Sequence, residues 1–184
     1  MPLPKITARE ILAETRFFKI EALHLRFSNG VRRVYERIPA QGPQGVIVVA
    51  VNAAGELMLI REYAAGFHEF QLTLPKGSVD PGEDLFAAAR RELAEEIGFT
   101  ADNVEFVKNL TLAPGHMGFT INVMFATDLS PKTLPADEPE PPELVLWPVD
   151  RLDELLHDEQ FKEARALAAI SLCRERIHNA LQGT

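Results

Sequence analysis

Within five residues the chain places Glu92, Glu95 and Glu96, directly after Arg90 and Arg91. Like charges three and four apart on a solvated helix each cost roughly 0.2–0.5 kcal/mol. Such a cluster calls for an opposing charge, and a divalent cation is the plainest candidate. At about 100° per residue, Glu96 lies about 40° round a helix from Glu92, with Glu95 about 60° to the other side. Leu85, Phe86, Ala89, Leu93 and Ile97 fall on the stripe that begins beside that face. Glu92 and Glu96 are therefore expected at the margin of the buried face, whereas solvated carboxylates point away from it. Carboxylates at i and i+4 can share a hard, oxygen-seeking cation such as Mg²⁺, which keeps several waters and accepts phosphate oxygens. The alternative is a charged, solvated helix face, and the helix arithmetic leaves both open.

The spacing carries more information. Gly77, five residues, Glu83, seven residues, then Arg91-Glu92-Leu93-Ala94-Glu95-Glu96-Ile97-Gly98-Phe99 places nine constrained positions in twenty-three residues. This stretch resembles the signature box of the Nudix hydrolases at every constrained position. The resemblance implies an α/β/α sandwich with a mixed sheet and hydrolysis of a nucleoside diphosphate linked to a further group. It also implies roles: Glu92 and Glu96 as principal metal ligands, Glu95 as an additional one, and Arg91 orienting a glutamate. Glu83 would support the loop, and the Gly77 carbonyl could complete the coordination of Mg²⁺, Mn²⁺ or another divalent cation. Taken alone, Glu83 also reads as a carboxylate favoured by a helix N-terminus.

The elements that must position this stretch follow from the flanking pattern. Residues 1–15 are weakly patterned and read as a mobile arm. From Arg16 to Ile38, alternation on both sides of Ser28-Asn29-Gly30 predicts a hairpin, since Asn-Gly between alternating segments is a strong turn signal. Pro39 to Gly45 is the best boundary, separating an N-terminal antiparallel β element (1–40) from the main α/β domain (41–184). Val46–Val51 is a continuous apolar run, as in a strand buried on both faces. Glu56–Glu62, Phe70–Leu74, Val104–Leu112, Phe119–Leu129 and Leu144–Trp147 read as further strands. Helices are expected over Leu85–Ile97, ended by Gly98 in a left-handed turn, and over Glu159–Leu181, with Leu167, Ile170, Cys173, Ile177 and Leu181 on one stripe. Asp150 with Asp153 resembles a capping box into a short helix. Ser130–Glu143 is rich in proline and acid and is expected to be irregular.

Composition sets the outer limits. A chain of 184 residues with 46% hydrophobic and 25% charged residues can bury a sizeable core. A net charge of −8, with no basic stripe, argues against nucleic-acid binding. The single Cys173 excludes an intramolecular disulfide and suits a reducing compartment. The N-terminus lacks a signal-peptide core and no run reaches membrane-spanning length, so a cytoplasmic protein is expected.

The flanks speak to substrate. Pro114 lies fifteen residues beyond Phe99, the spacing associated with ADP-ribose-cleaving Nudix members, although a loop proline before Gly115 needs no such explanation. Phe27–Arg37, Leu59–Tyr63 and Asp137–Pro141 are similar to the bacterial Nudix group that hydrolyses ADP compounds, with the resemblance running from about Thr15 to Arg176. It implies hydrolysis of ADP-ribose, diadenosine oligophosphates and NADH with release of AMP, and a homodimer built through N-terminal strands. Two positions depart from the ADP-ribose pyrophosphatase pattern: Phe119 stands where many carry a glutamate, and Ala64 where they carry a second arginine. A base could instead come from Glu138 or Glu140 in the acidic loop, unless that loop is only a solvated linker. Arg37 and Arg61 are candidate diphosphate contacts, because an anionic substrate in an acidic protein needs cations; each could also be a surface ion-pair partner. His116 reads as an exposed loop residue beside Pro114. A Nudix diphosphatase for a nucleotide sugar or a capped RNA end, and a nucleotide-binding sensor without catalysis, are the competing readings.

Overall fold

In the computed structural model, which describes residues 1–40, 42, 44–136 and 139–180, the chain divides into two compact units. The first comprises Met1–Gly42 and Thr111–Thr120; the second comprises Pro43–Leu110 and Ile121–Thr184.

In the first unit, β1 (Lys5–Glu14), β2 (Lys19–Arg26) and β3 (Arg32–Arg37) form one antiparallel sheet in that order. The expected hairpin is present. Gly30 adopts φ 84°, and the Val31 amide donates to Asn29 Oδ1 at 3.1 Å. The expected mobile arm is not: ten of its residues form β1, and eight of these pair with β2. Register shifts between Ile6 and Ala8 and between Ile11 and Ala13 break the two-residue period. Each extra residue moves the following side chains to the other face, which is why alternation was invisible. Downstream, the Ile38 amide donates to the His116 carbonyl at 2.8 Å and the Gly118 amide to the Ile38 carbonyl at 2.9 Å. This docks the Pro114–Gly118 loop against the segment after β3. A Cβ on Gly118 would lie 2.4 Å from the Ala40 nitrogen, so only glycine permits that approach.

The second unit is built round β4 (Gly45–Ala50), all of whose side chains are buried. Its neighbours are β5 (Glu56–Ala64), β6 (Glu69–Thr73), β7 (Lys76–Ser78), α1 (Leu85–Glu96), β8 (Phe99–Thr111), β9 (Thr120–Pro131), β10 (Glu143–Pro148), α2 (Leu152–Leu155) and α3 (Ala164–Ala180). The expected mixed sheet is β7-β4-β9-β8, with β4 parallel to β9 and antiparallel to β7, and a second, antiparallel sheet runs β10-β5-β6. Val46, Val48 and Ala50 pack with Ala88, Ala89 and Leu93 of α1. Ile47 and Val49 pack with Ala166, Ala169, Ile170, Cys173 and Ile177 of α3. Strand alternation thus gives each helix its own face of the same strand, an α/β/α sandwich.

Helix α1 begins where Asp84 Oδ1 accepts from the Phe86 and Ala87 amides, both at 2.9 Å, and Gly98 leaves it at φ 74°. Phe86 departs from its expected place and stands exposed. The Lys132 and Leu134 amides donate to the carbonyls of Gly98 and Ala94 at 2.9 and 3.0 Å, tying the start of the proline-rich loop to the end of α1.

The C-terminal region differs in two details. No capping box forms at Asp150: the chain enters α2 through a 3-10 turn at Val149–Arg151 without a side-chain cap, and Asp153 pairs with Arg174 instead. α3 starts at Ala164, not Glu159, because Asp158 closes a turn by accepting from the Gln160 amide at 2.7 Å while Phe161 inserts into the core. Leu181 lies outside the described residues. No helix among the described residues is long and apolar enough to cross a membrane.

Candidate active site

The margin position inferred for the two carboxylates is where they sit: Glu92 and Glu96 are each only 7% exposed. Arg91 gathers the cluster. Its Nε and Nη2 donate to Glu83 Oε1 and Oε2 at 3.0 and 2.9 Å, a two-point clasp. Its Nη1 donates to Glu92 Oε1 and Glu95 Oε2, both at 2.8 Å, and Nη2 also reaches the Ser78 carbonyl at 2.6 Å. Glu83 in turn accepts from the Asp80 amide at 3.0 Å. The Arg91 hydrogen bonds hold the Glu83 carboxyl below its ordinary range against the opposing effect of burial, and the surrounding carboxylates raise Arg91 still further. The loop between β7 and α1 is therefore locked to the helix by one side chain.

Gly77 has a steric role that spacing did not reveal. A Cβ there would fall 2.1 Å from Glu92 Oε1 and 2.2 Å from its Cδ. The Glu92 carboxylate occupies the space that any larger residue would fill.

Glu96 accepts from the Lys76 amide at 2.9 Å through Oε2. Burial pushes its carboxyl up to about 8; the Lys76 amide and ammonium oppose this, while Glu92 and Glu62 reinforce it. Lys76 Nζ is itself bonded to Glu62. Two desolvated carboxylates, one of them hard to ionise alone, beside a cradle kept open by Gly77, fit a hard divalent cation. Among the described residues, no three Asp, Glu, His or Cys side chains are already gathered into a cage. Glu92 and Glu95 are turned to Arg91, so a cation would draw on them from that clasp and complete its shell with water and phosphate oxygens.

A cavity of about 740 Å³ opens beside this cluster, lined by Glu96, Arg61, Glu62, Tyr63 and Phe70 on one side and by Pro139–Glu143 on the other. Arg61 is positioned from two directions, by Glu143 across the β5–β10 ladder at 3.1 Å and by Gln160. Tyr63 and Phe70, partners across β5 and β6, meet edge to face with ring centroids 6.0 Å apart, and the Tyr63 hydroxyl lies 2.8 Å from His68 Nδ1. Sequence reasoning missed this aromatic corner and the Lys76–Glu62 pair. The only hint was the alternation that puts Arg61 and Tyr63 two residues apart in one strand.

Of the other candidates, Glu140 lines this cavity, and Glu138 lies outside the described residues. Arg37 and Pro114 line a cavity of the first unit, about 240 Å³ in volume, together with His116. Both arginines do take part in ion pairs, Arg37 with Glu21 and Arg61 with Glu143.

The box geometry, the sandwich and the clasped carboxylates define a class of protein, and comparison with known proteins names it. The NUDIX domain model matches residues 42–170, and the chain belongs to the Nudix hydrolase family. Residues 4–37 match the NudE-type Nudix hydrolase N-terminal domain. The chain is 44% identical over 172 residues to the ADP compounds hydrolase NudE of Escherichia coli, covering 94% of this chain and 92% of that one. It is 25% identical over 126 residues to the ADP-ribose pyrophosphatase of Bacillus subtilis, covering 68% and 67%. A crystal structure of an ADP compounds hydrolase superposes with a TM-score of 0.92 at 42% identity, covering 97% and 96% of the two chains.

Gly77→Ala displaces the Glu92 carboxylate, whose side chain can swing away, so steady-state assays should show kcat/KM lowered by about tenfold or more while the melting temperature moves by only a few degrees. For Glu96, the folded-state pKa of about 8 exceeds the usual 4.5, so the native state binds more protons than the unfolded chain between those values. The contribution of Glu96 to the stability of the metal-free protein is then fully present below about pH 4.5 and is lost as pH rises to about 8. Thermal unfolding in a chelator should show this decline, and Glu96→Gln should flatten it; an equally steep decline in the variant would exclude Glu96 as its source.

Proposed function

We propose that this Nudix hydrolase cleaves the diphosphate linkage of ADP-containing compounds, ADP-ribose, diadenosine oligophosphates and NADH among them, and releases AMP. The observation that carries the reading is the buried Glu92–Glu96 pair, with Glu96 lining a cavity that is also lined by Arg61 and by the Tyr63–Phe70 aromatic corner.

Glu92 and Glu96, with Glu95 beside them, would hold Mg²⁺ or Mn²⁺. When bound there, the cation supplies charge neutralisation for the diphosphate and makes water a better nucleophile. The chain's own residues do the rest. Arg91 keeps Glu92 and Glu95 from repelling one another out of place, and Glu83 fixes Arg91. Arg61 offers its planar guanidinium to phosphate oxygens in exchange for Glu143. Tyr63 and Phe70 give the adenine an aromatic surface to stack on, a contact worth about 1–3 kcal/mol per base in comparable settings. Glu140, which lines the same cavity, would accept the proton of the attacking water as the P–O–P bridge breaks and the AMP or sugar-phosphate oxygen leaves.

The N-terminal element, residues 1–40, is proposed to join two copies into a homodimer. The exposed Ile6, Ile11, Leu12, Val34 and Tyr35 of its three-stranded sheet support this. A cytoplasmic location agrees with the single buried Cys173.

Chromatographic assay of AMP release from ADP-ribose, diadenosine polyphosphates and NADH, with nucleotide sugars and capped RNA in the same panel, tests the substrate class. Turnover of the ADP compounds is expected to depend on a divalent cation, and Glu96→Gln to lower kcat by at least about a hundredfold in a folded protein. Preferential turnover of nucleotide sugars would move the substrate assignment, and unchanged turnover by Glu96→Gln would remove the metal-site reading. Ligand binding without product release would favour a sensor.

A further inference from the structure

We propose that Glu21 is a positioning residue that holds Arg37 as the cationic wall of a phosphate-accepting subsite in the first unit, a step that rests on the diphosphate-hydrolase reading above. Glu21 lies in the middle strand of the N-terminal sheet and is 5% exposed. A carboxylate so buried is costly unless it is paired, and two arginines pair with it. Arg37 donates to Glu21 Oε1 through Nε at 2.6 Å and adds a second contact from Nη2, and Arg9 approaches the same oxygen at 3.3 Å. Two guanidinium groups on one carboxylate leave a net positive charge. Holding Arg37 by its Nε edge also fixes the plane of its fork; among the described residues, its Nη1 has no protein hydrogen-bond partner.

The fork borders the 240 Å³ cavity, whose other lining residues are Thr111, Pro114, Gly115, His116, Met117, Gly118, Phe119 and Thr120. No carboxylate is among them, in a protein of net charge −8. The cavity at Glu96, by contrast, is also lined by Glu62, Glu140 and Glu143. An arginine, a histidine and two threonines line this small space, a set that suits one phosphate group and not a whole nucleoside. The loop that closes it is fixed by the Ile38–His116 and Gly118–Ile38 backbone bonds and by the Gly118 approach to Ala40. A preorganised fork loses less entropy on binding than a free one.

Steady-state kinetics on ADP-ribose with the whole protein test the assignment. Arg37→Ala should raise KM about tenfold, as expected for losing a charge-assisted hydrogen bond. Glu21→Gln should raise KM at least threefold with kcat within twofold, and add less than twofold in the Arg37→Ala background. Arg37→Lys, which cannot make the two-point clasp, should behave like Arg37→Ala; it decides the matter should Glu21→Gln fail to fold. An unchanged KM in Glu21→Gln, or the same factor in both backgrounds, would overturn the proposal and mark Glu21 as purely structural. Should the unaltered protein hydrolyse no ADP compound, the functional reading fails separately. Calorimetric binding of inorganic phosphate to the metal-free protein, weakened about tenfold by Arg37→Ala, then tests the subsite by itself, and equal binding by both proteins would contradict it.

Discussion

The arrangement depends on one guanidinium. Glu83, Glu92, Glu95 and Glu96 would repel one another if nothing intervened, and Arg91 stands among three of them, bonding each at 3.0 Å or less. Charge-assisted, two-point contacts of this kind are among the stronger polar interactions available to a folded chain. Their effect here is geometric: the loop carrying Glu83 and the helix carrying the other carboxylates become one rigid piece. That rigidity holds Glu92 and Glu96 at the edge of the core.

Around that clasp the fold supplies shape. β4 is buried on both faces, so α1 has a firm floor of Val46, Val48 and Ala50, and β7 brings Gly77 under Glu92. The absence of a Cβ at Gly77 is as much a part of the site as any charged group. Glu96 is treated differently: burial, reinforced by the nearby Glu92 and Glu62, makes its ionisation unfavourable, which makes an incoming cation the natural partner for its charge.

The site was largely legible in the sequence, because the box constrains residue type and spacing together over a single loop and helix, where local geometry follows from counting. The central strand and α1 were legible for similar reasons: a continuous apolar run, an Asp84 cap and a Gly98 stop. What escaped depends on contacts between distant residues. β1 was hidden by two bulges that shift its register. The Tyr63–Phe70 corner needs the β5–β6 pairing, and the Glu21–Arg37 clasp spans sixteen residues across a sheet. Asp150 and Asp153 matched a local capping pattern, but the preference of Asp153 for Arg174 in α3 set it aside. In each case a tertiary partner, which no window of sequence contains, decided the outcome.

Glu92 and Glu96, kept in place by Arg91, are proposed to form the divalent-cation site. Titration of Mn²⁺ followed by electron paramagnetic resonance tests it directly, comparing the unaltered protein with Glu92→Gln and Glu96→Gln above pH 8, where Glu96 is ionised. A bound Mn²⁺ signal is expected, with affinity at least about tenfold lower in each variant, as removal of a coordinating carboxylate requires. Equal Mn²⁺ affinity in all three proteins would contradict it.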